Sequence, residues 1–149
     1  MTFYRHFKTK DHVIAEYLRG IANEMTGVWE DLAKRHPDDP NKQLAGWLDH
    51  VEMIVNSMDE RGCALANAAV ELSAEHEGRA IIQAYKASKR DHLVRLLRAA
   101  RYAKPEVLAD EIFLLFEGAR INLQCVKHGG PATRLVPMLR ALLTSAPRK

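Results

Sequence analysis

Apolar side chains recur every three or four residues along nearly the whole chain, and no other feature restricts the fold as strongly. This spacing places apolar groups on one face of an α-helix, whereas a half-buried strand would alternate apolar and polar residues. Glycines are few and runs of β-branched residues are absent. We therefore expect an all-α protein. Its 149 residues, 47% of them hydrophobic, suffice for one domain with a core of ordinary size.

Local signals divide this pattern into successive helices. Thr9 can cap the first helix, which ends near His36, and Asp39 and Pro40 fit the cap and first turn of the second. Small residues build a short third helix, and Pro105 opens a later one. The predicted helices cover residues 9–36, 39–58, 61–72, 75–102, 105–127 and, as an apolar stripe, 135–143.

The helix predicted over residues 105–127 is apolar around most of its circumference. Only Asp110, Glu117 and Gln124, spaced seven apart, form a continuous polar line. Such a helix is buried on several sides, and in so short a chain we expect one side to face a second copy. With the last helix it forms an antiparallel hairpin, and two hairpins make a four-helix dimer interface. The residues predicted at this interface are Leu115, Gly118, Ala119, Leu135, Leu139 and Leu142.

Polar groups interrupt the inner stripe of the helix predicted over residues 75–102. Ser88, Lys89 and His92 lie in or beside this stripe, and polar groups on an inner face need partners. In one interpretation the lysine extends to the rim and the histidine bonds to a neighbouring carbonyl group. In the other, these side chains line a cavity. The sequence leaves both interpretations open.

Small residues in the third predicted helix leave room for such a cavity, because the range 64–69 contains four alanines. Its walls would be aromatic and aliphatic with a few polar groups, which suits a small lipophilic or aromatic ligand. Alternatively, the rings of Trp47 and Tyr85 fill this space and Glu117 lies on a solvated stripe. The predicted ligand-binding residues are Trp47, Val51, Met58, Cys63, Asn67, Tyr85, Lys89, His92, Phe113 and Glu117.

Signatures of catalysis are missing from the sequence. It contains no H-E-x-x-H, C-x-x-C or G-x-S-x-G motif, no glycine-rich phosphate loop, and no histidine with glutamate three positions before it. Cys63 and Cys125 are too few for a disulfide framework and fit reduced thiols. We therefore expect a protein that is not an enzyme and that has neither a metal site nor a cofactor.

Charge and hydropathy restrict the partners. The net charge is +3, and residues 37–85 carry nine acids against three bases, which argues against binding nucleic acid with the whole surface. The longest run of large apolar residues, Ile112 to Phe116, has five members, and the basic N-terminus has no signal-peptide core. We expect a cytoplasmic protein without membrane contact.

Two stretches, and their order along the chain, resemble one known family. Residues 2–11, T-F-Y-R-H-F-K-T-K-D, interleave aromatic and basic residues. They look like the end of the DNA-reading helix, and the start of the next helix, in the tetracycline-repressor (TetR) family of bacterial regulators. Residues 61–71 resemble the R-G-C-x-x-x-N-A-A-x-E run of the ligand-binding domains of one subset of that family. With the final helical hairpin, the likeness covers essentially the whole chain.

The resemblance implies a homodimer whose N-terminal helix-turn-helix units bind an operator and whose C-terminal helical domains bind a small effector. It assigns residues 1–10 to a remnant of the helix-turn-helix domain and residues 11–149 to the ligand-binding and dimerisation domain. The residues at positions where family members commonly touch DNA phosphates are Thr2, Tyr4, His6 and Lys10.

The sequence departs from the family in one respect, because the helices that precede and support the DNA-reading helix are missing. A two-turn remnant alone is not held in a major groove. We expect either that the reading frame begins further upstream or that this form keeps only the sensing and dimerising domain of a repressor. Operator DNA would then be a partner only where the missing helices are present. An alternative of another class is a helical dimerisation module that binds a protein and no effector.

Overall fold

The computed structural model describes residues 9–56, 62–126 and 130–149, and these ranges form six α-helices. The helices are α1 (Lys10–Arg35), α2 (Pro40–Asn56), α3 (Ala64–Glu71), α4 (Glu77–Ala99), α5 (Pro105–Val126) and α6 (Leu135–Ser145), with a 3₁₀ turn at Pro131–Arg134. Strand pairing within the described ranges is limited to one isolated bridge between Tyr102 and Arg148. The prediction of an all-α protein is confirmed for this part of the chain.

The first two helices begin where their capping residues predict. The Thr9 hydroxyl oxygen accepts a hydrogen bond from the His12 backbone N–H at 3.1 Å, and the Asp39 carboxylate accepts one from the Lys42 N–H at 3.0 Å. These bonds satisfy N–H groups that have no partner inside the helix. The bond from Lys42 also lowers the pKa of Asp39. Local chemistry therefore positions both helix starts.

Helix α4 is shorter at both ends than the predicted 75–102. It begins after His76, whose Nδ1 accepts a hydrogen bond from the Gly78 N–H at 2.9 Å. It ends before Arg101, which adopts a left-handed conformation with φ 66°. A residue in that conformation cannot continue a right-handed helix. Both corrections come from single residues whose backbone role the apolar pattern does not report.

The described side chains form two hydrophobic clusters. The larger one joins α1, α2, α4, α5 and α6 and contains Trp29, Trp47, Leu97, Ile112 and Leu139 among its buried members. The smaller cluster consists of Leu18, Ala22, Cys63, Leu65 and Ile82. Helix α1 contributes to both, so its length connects the two clusters. The candidate site lies at the seam between them.

The hairpin of α5 and α6 carries the residues predicted at a dimer interface. Leu135 and Leu139 are only 2% and 0% exposed, because they pack into the larger cluster of their own chain. Of the other predicted interface residues, Gly118 is exposed, and those that are half-buried are Leu115, Ala119 and Leu142.

The solvent side of this hairpin is nevertheless apolar. The exposed large apolar side chains of the hairpin are Val107, Leu114, Ile121, Val126 and Met138. We call Val107, Leu114, Ile121 and Met138 the outer face. Three of these residues lie on α5 at seven-residue spacing, and Leu114 is 71% exposed. An exposed row of this kind marks a surface that another molecule can cover. None of the helices in the described ranges is long and apolar enough to cross a bilayer.

Candidate ligand site between helices α1, α2, α4 and α5

A small cavity and a larger groove lie side by side at the boundary between the two hydrophobic clusters. The cavity has a volume of about 50 Å³, and its walls are Met25, Val28, Trp29, Trp47, His50, Ile54, Tyr85, Lys89, Phe116 and Arg120. The groove has a volume of about 300 Å³, and its walls are Ile21, Glu24, Met25, Val28, His50, Ile54, Gly62, Arg120 and Leu123. Five residues belong to both, so the two spaces are contiguous parts of one site.

Aromatic rings fill most of the inner part of this site. Trp29 and Trp47 stack with 5.6 Å between ring centroids and 13° between planes, and Phe116 lies 6.1 Å from Trp47. The remaining 50 Å³ is room for one or two water molecules. Trp47 and Tyr85 thus both line the site and occupy much of it. The space for a larger molecule is in the groove.

Lys89 does not extend to solvent. Its side chain is 11% exposed, and its Nζ lies 3.7 Å from the centroid of Phe116 and 3.2 Å from a carboxylate oxygen of Glu117. Burial lowers the pKa of Lys89 to about 8, although Glu117 opposes this shift. The ammonium group is therefore held by one carboxylate and by the rings of Phe116 and Phe113 in a place where water is scarce.

Glu117 is paired rather than solvated, which corrects the alternative that placed it on a solvated stripe. Its side chain is 23% exposed and accepts hydrogen bonds from both Lys86 and Lys89. Burial alone would raise the pKa of this carboxyl, but Lys89 and Lys86 outweigh burial and the pKa lies below the ordinary value. The other two members of this polar line are also paired, but they are more exposed: Asp110 binds Arg90 and Gln124 donates to Asn67.

Arg120 and His50 supply the polar groups that the sequence analysis missed. One Nη of Arg120 donates to the Gly62 carbonyl oxygen at 2.8 Å, and Gly62 has a φ of 70°, which a side chain would strain. His50 lines both spaces from α2. Burial, followed by the charges of Lys89 and Arg120, lowers the pKa of His50. The imidazole therefore stays neutral at pH 7.

Helical spacing could have identified these two residues. His50 lies three positions after Trp47 and four before Ile54, which places it on the buried stripe of α2. Arg120 lies four positions after Phe116, so both side chains reach the same side of α5. Met25, Val28 and Trp29 of α1 also line the cavity, but nothing in the neighbouring sequence shows that they face this site.

The remaining predicted ligand residues are dispersed. Val51 is fully buried in the larger cluster, and Cys63 belongs to the smaller one. Phe113 lies beneath the ammonium groups of Lys86 and Lys89. The ring of His92 is tilted by 32° against that of Trp29, with 4.5 Å between centroids, and His92 lines a separate shallow groove.

Half-buried Asn67 accepts a hydrogen bond from Gln124 at 3.2 Å. Met58 lies outside the described residues, as do Thr2, Tyr4 and His6 of the predicted DNA-contact set. Lys10, the fourth member of that set, is the exposed first residue of α1. Within the described ranges, no three histidine, cysteine or acidic residues come together to hold a metal ion.

Comparisons with protein-family models, with curated protein sequences and with solved structures find no match to this chain. Any functional conclusion therefore depends on the site and surfaces described above.

Proposed function

We propose that this chain is the sensing and dimerising part of a TetR-like transcriptional repressor, which binds a small lipophilic or aromatic effector beside Trp29 and Trp47. The observation that carries this proposal is the composition of the cavity and groove: mostly apolar and aromatic walls with a few polar groups aimed inward, as small-molecule sites have. Operator DNA is then bound by chains that contain complete helix-turn-helix units.

Helix α1 offers a route from the ligand to the N-terminal segment. Ile21, Met25 and Val28 of α1 line the groove, and the same 26-residue helix begins at Lys10, at the end of the segment that resembles a DNA-reading helix. A regular helix transmits a displacement along its length. Regulation further requires that the effector bind two positions of α1 with different affinity.

Thermal unfolding with a panel of lipophilic and aromatic compounds tests the sensing role. A compound at a hundredfold excess over its Kd raises the free energy of unfolding by about 2.7 kcal/mol. The chain has two tryptophans, and both line the cavity, so quenching of their fluorescence reports binding at this site. A broad panel without shift or quenching would refute the sensing role.

A matched pair of variants locates the binding. Val28→Phe narrows the groove and should remove both the shift and the quenching. Val70→Phe adds the same ring to an exposed position of α3 and should leave both unchanged. If both variants still bind the compound, the site lies elsewhere.

Dimerisation through the outer face is the second part of the proposal. A stable dimer buries more than about 1,200 Å² in total, and an exposed apolar row along α5 is a suitable centre for such an interface. Leu114→Glu should therefore give a monomer in sedimentation at micromolar concentration. Val70→Glu, also at an exposed apolar position, should sediment as the unsubstituted chain does. A monomeric unsubstituted chain would contradict this part of the proposal.

A second candidate function is a dimerisation module that binds a protein and no effector. The observation in its favour is the size of the inner cavity, which Trp29, Trp47 and Phe116 reduce to about 50 Å³. A dimer that persists while no compound of the panel binds would support this candidate over the sensor.

A further inference from the structure

Cations outnumber carboxylates around the cavity and groove. The cations are Lys86, Lys89 and Arg120, and the carboxylates are Glu117 and Glu24. Glu117 is shared by the two lysines, and Glu24 is exposed on α1. Within the described residues, no carboxylate lies within 4 Å of Arg120. An excess of positive charge in a half-buried place is unfavourable until an anion joins it.

The guanidinium of Arg120 is positioned to receive that anion. Contacts with the Gly62 carbonyl oxygen and with the ring of Phe116, 5.8 Å away, hold it at the wall shared by the cavity and the groove. Its other N–H groups have no hydrogen-bond partner among the described residues. A guanidinium group can bind both oxygens of a carboxylate through two parallel hydrogen bonds.

The surroundings of Arg120 define the rest of the ligand. Five apolar side chains, Ile21, Met25, Val28, Ile54 and Leu123, line the groove, whose 300 Å³ is within the usual range for small-molecule sites. His50 also lines the groove and, as a neutral imidazole, can donate one hydrogen bond. Trp29 and Trp47 offer ring faces deeper inside.

We infer that this groove binds an organic carboxylate, with the carboxylate on Arg120 and His50 and an apolar, preferably aromatic body against α1 and the two tryptophans. The inference deepens the proposed sensing role and rests on it. Electrostatic attraction gives the preference for an acid over its neutral amide, while the apolar contacts are common to both.

Three acids, benzoate, 1-naphthoate and octanoate, test the inference beside their primary amides by calorimetric titration at pH 7. At least one acid should bind at least tenfold more tightly than its amide. Equal affinity of acid and amide would overturn the inference while leaving the sensing role intact. If none of the acids binds with a Kd below about 1 mM, an ordinary lower limit for specific recognition, the inference also fails, and the broad panel then decides on sensing separately.

Variants at Arg120 test whether this residue binds the carboxylate of the ligand. Arg120→Gln should weaken binding of the preferred acid at least tenfold and change the affinity for its amide less than twofold, and Arg120→Lys should restore part of the loss. Arg95→Gln removes the same charge from an exposed position of α4 that does not line the site, so it should bind as the unsubstituted chain does. If Arg95→Gln weakens binding as much as Arg120→Gln, the preference comes from overall charge and not from the site.

The pH dependence of the affinity for the acid gives an independent test. Burial lowers the pKa of Lys89 to about 8, so its positive charge is lost as the pH rises from 7 to 9. The affinity for the acid should fall over this range, and the affinity for the amide should not. Tyr85 stays neutral, because burial raises its pKa to about 12.

Two variants assign the pH effect to Lys89. The decrease should be absent in Lys89→Met. It should persist in Cys63→Ala, which changes a buried residue of the smaller cluster and leaves every cation of the site in place. If the affinity for the acid still falls with rising pH in Lys89→Met, Lys89 does not contribute to binding.

Discussion

Two neighbouring rows of α5 differ in what they contact. The polar row consists of Asp110, Glu117 and Gln124, and each of these side chains bonds to another helix although Asp110 and Gln124 remain accessible to solvent. The apolar row, Val107, Leu114 and Ile121, lies three positions earlier, about 60° away around the helix axis, and is exposed, whereas the buried face of α5 is formed by other residues such as Ile112 and Phe116. Both rows have seven-residue spacing. The pattern of a helix therefore gives the existence of two faces, but it does not say which face is inside.

The two rows differ in whether the described chain supplies their partners. Lys86 and Lys89 pair with Glu117, the least exposed member of the polar row, where an unpaired carboxylate would be costly. The outer row leaves apolar surface in water, and each Å² that a second molecule covers contributes about 25 cal/mol. The polar row finds its partners within the described chain, whereas the apolar row stays exposed in it.

The largest expected change in stability is the one that distinguishes a buried leucine of this hairpin from an exposed one. Leu139→Ala, at a position with no exposed surface, should lower the free energy of unfolding by about 2–5 kcal/mol, because it removes packed methyl groups and leaves a cavity. Leu114→Ala should change the unfolding of the monomer by less than about 0.5 kcal/mol. Denaturant unfolding at low protein concentration measures both. Equal effects of the two substitutions would contradict the orientation of the hairpin.

A smaller change in stability is expected when the polar line of α5 is altered at Glu117. Glu117→Gln leaves Lys86 and Lys89 without their carboxylate and should destabilise the fold by about 1–3 kcal/mol, less than for a fully buried pair, since the site is partly hydrated. Glu111→Gln, at an exposed position of the same helix, is the matched control and should stay within about 0.5 kcal/mol of the unsubstituted chain. Similar costs for both would mean that the ion pairs contribute nothing.

The smallest expected effect is the loss of stability at low pH that depends on Glu117. Glu117 has a folded-state pKa below its ordinary 4.5, so its contribution to stability is complete above about pH 4.5 and is lost as the pH falls through the folded-state pKa. Between pH 5 and pH 3 the unsubstituted chain should lose more stability than Glu117→Gln, which has no carboxyl at this position. Parallel acid unfolding curves would show that the pKa of Glu117 is the same in the folded and unfolded chain.

Helix positions were largely predictable, because helix starts depend on neighbouring residues. Thr9, Asp39 and Pro105 define three starts through caps and a fixed backbone angle, and the structure places all three as predicted. The candidate site was predictable only in part. Trp47, Tyr85 and Lys89 were recognised and do line one cavity, whereas Val51 and Cys63 lie in separate cores.

What the sequence alone determined is therefore the class of fold, the starts of α1, α2 and α5 and the seven-residue spacing of the rows along α5, since all three depend on residues within a few positions of each other. The tertiary structure decided how each helix is rotated about its axis. That rotation buried Leu135 and Leu139, left Leu114 exposed and directed Arg120 to the groove. It depends on all neighbouring helices at once, because each helix settles where its apolar contacts and its polar pairs are satisfied together.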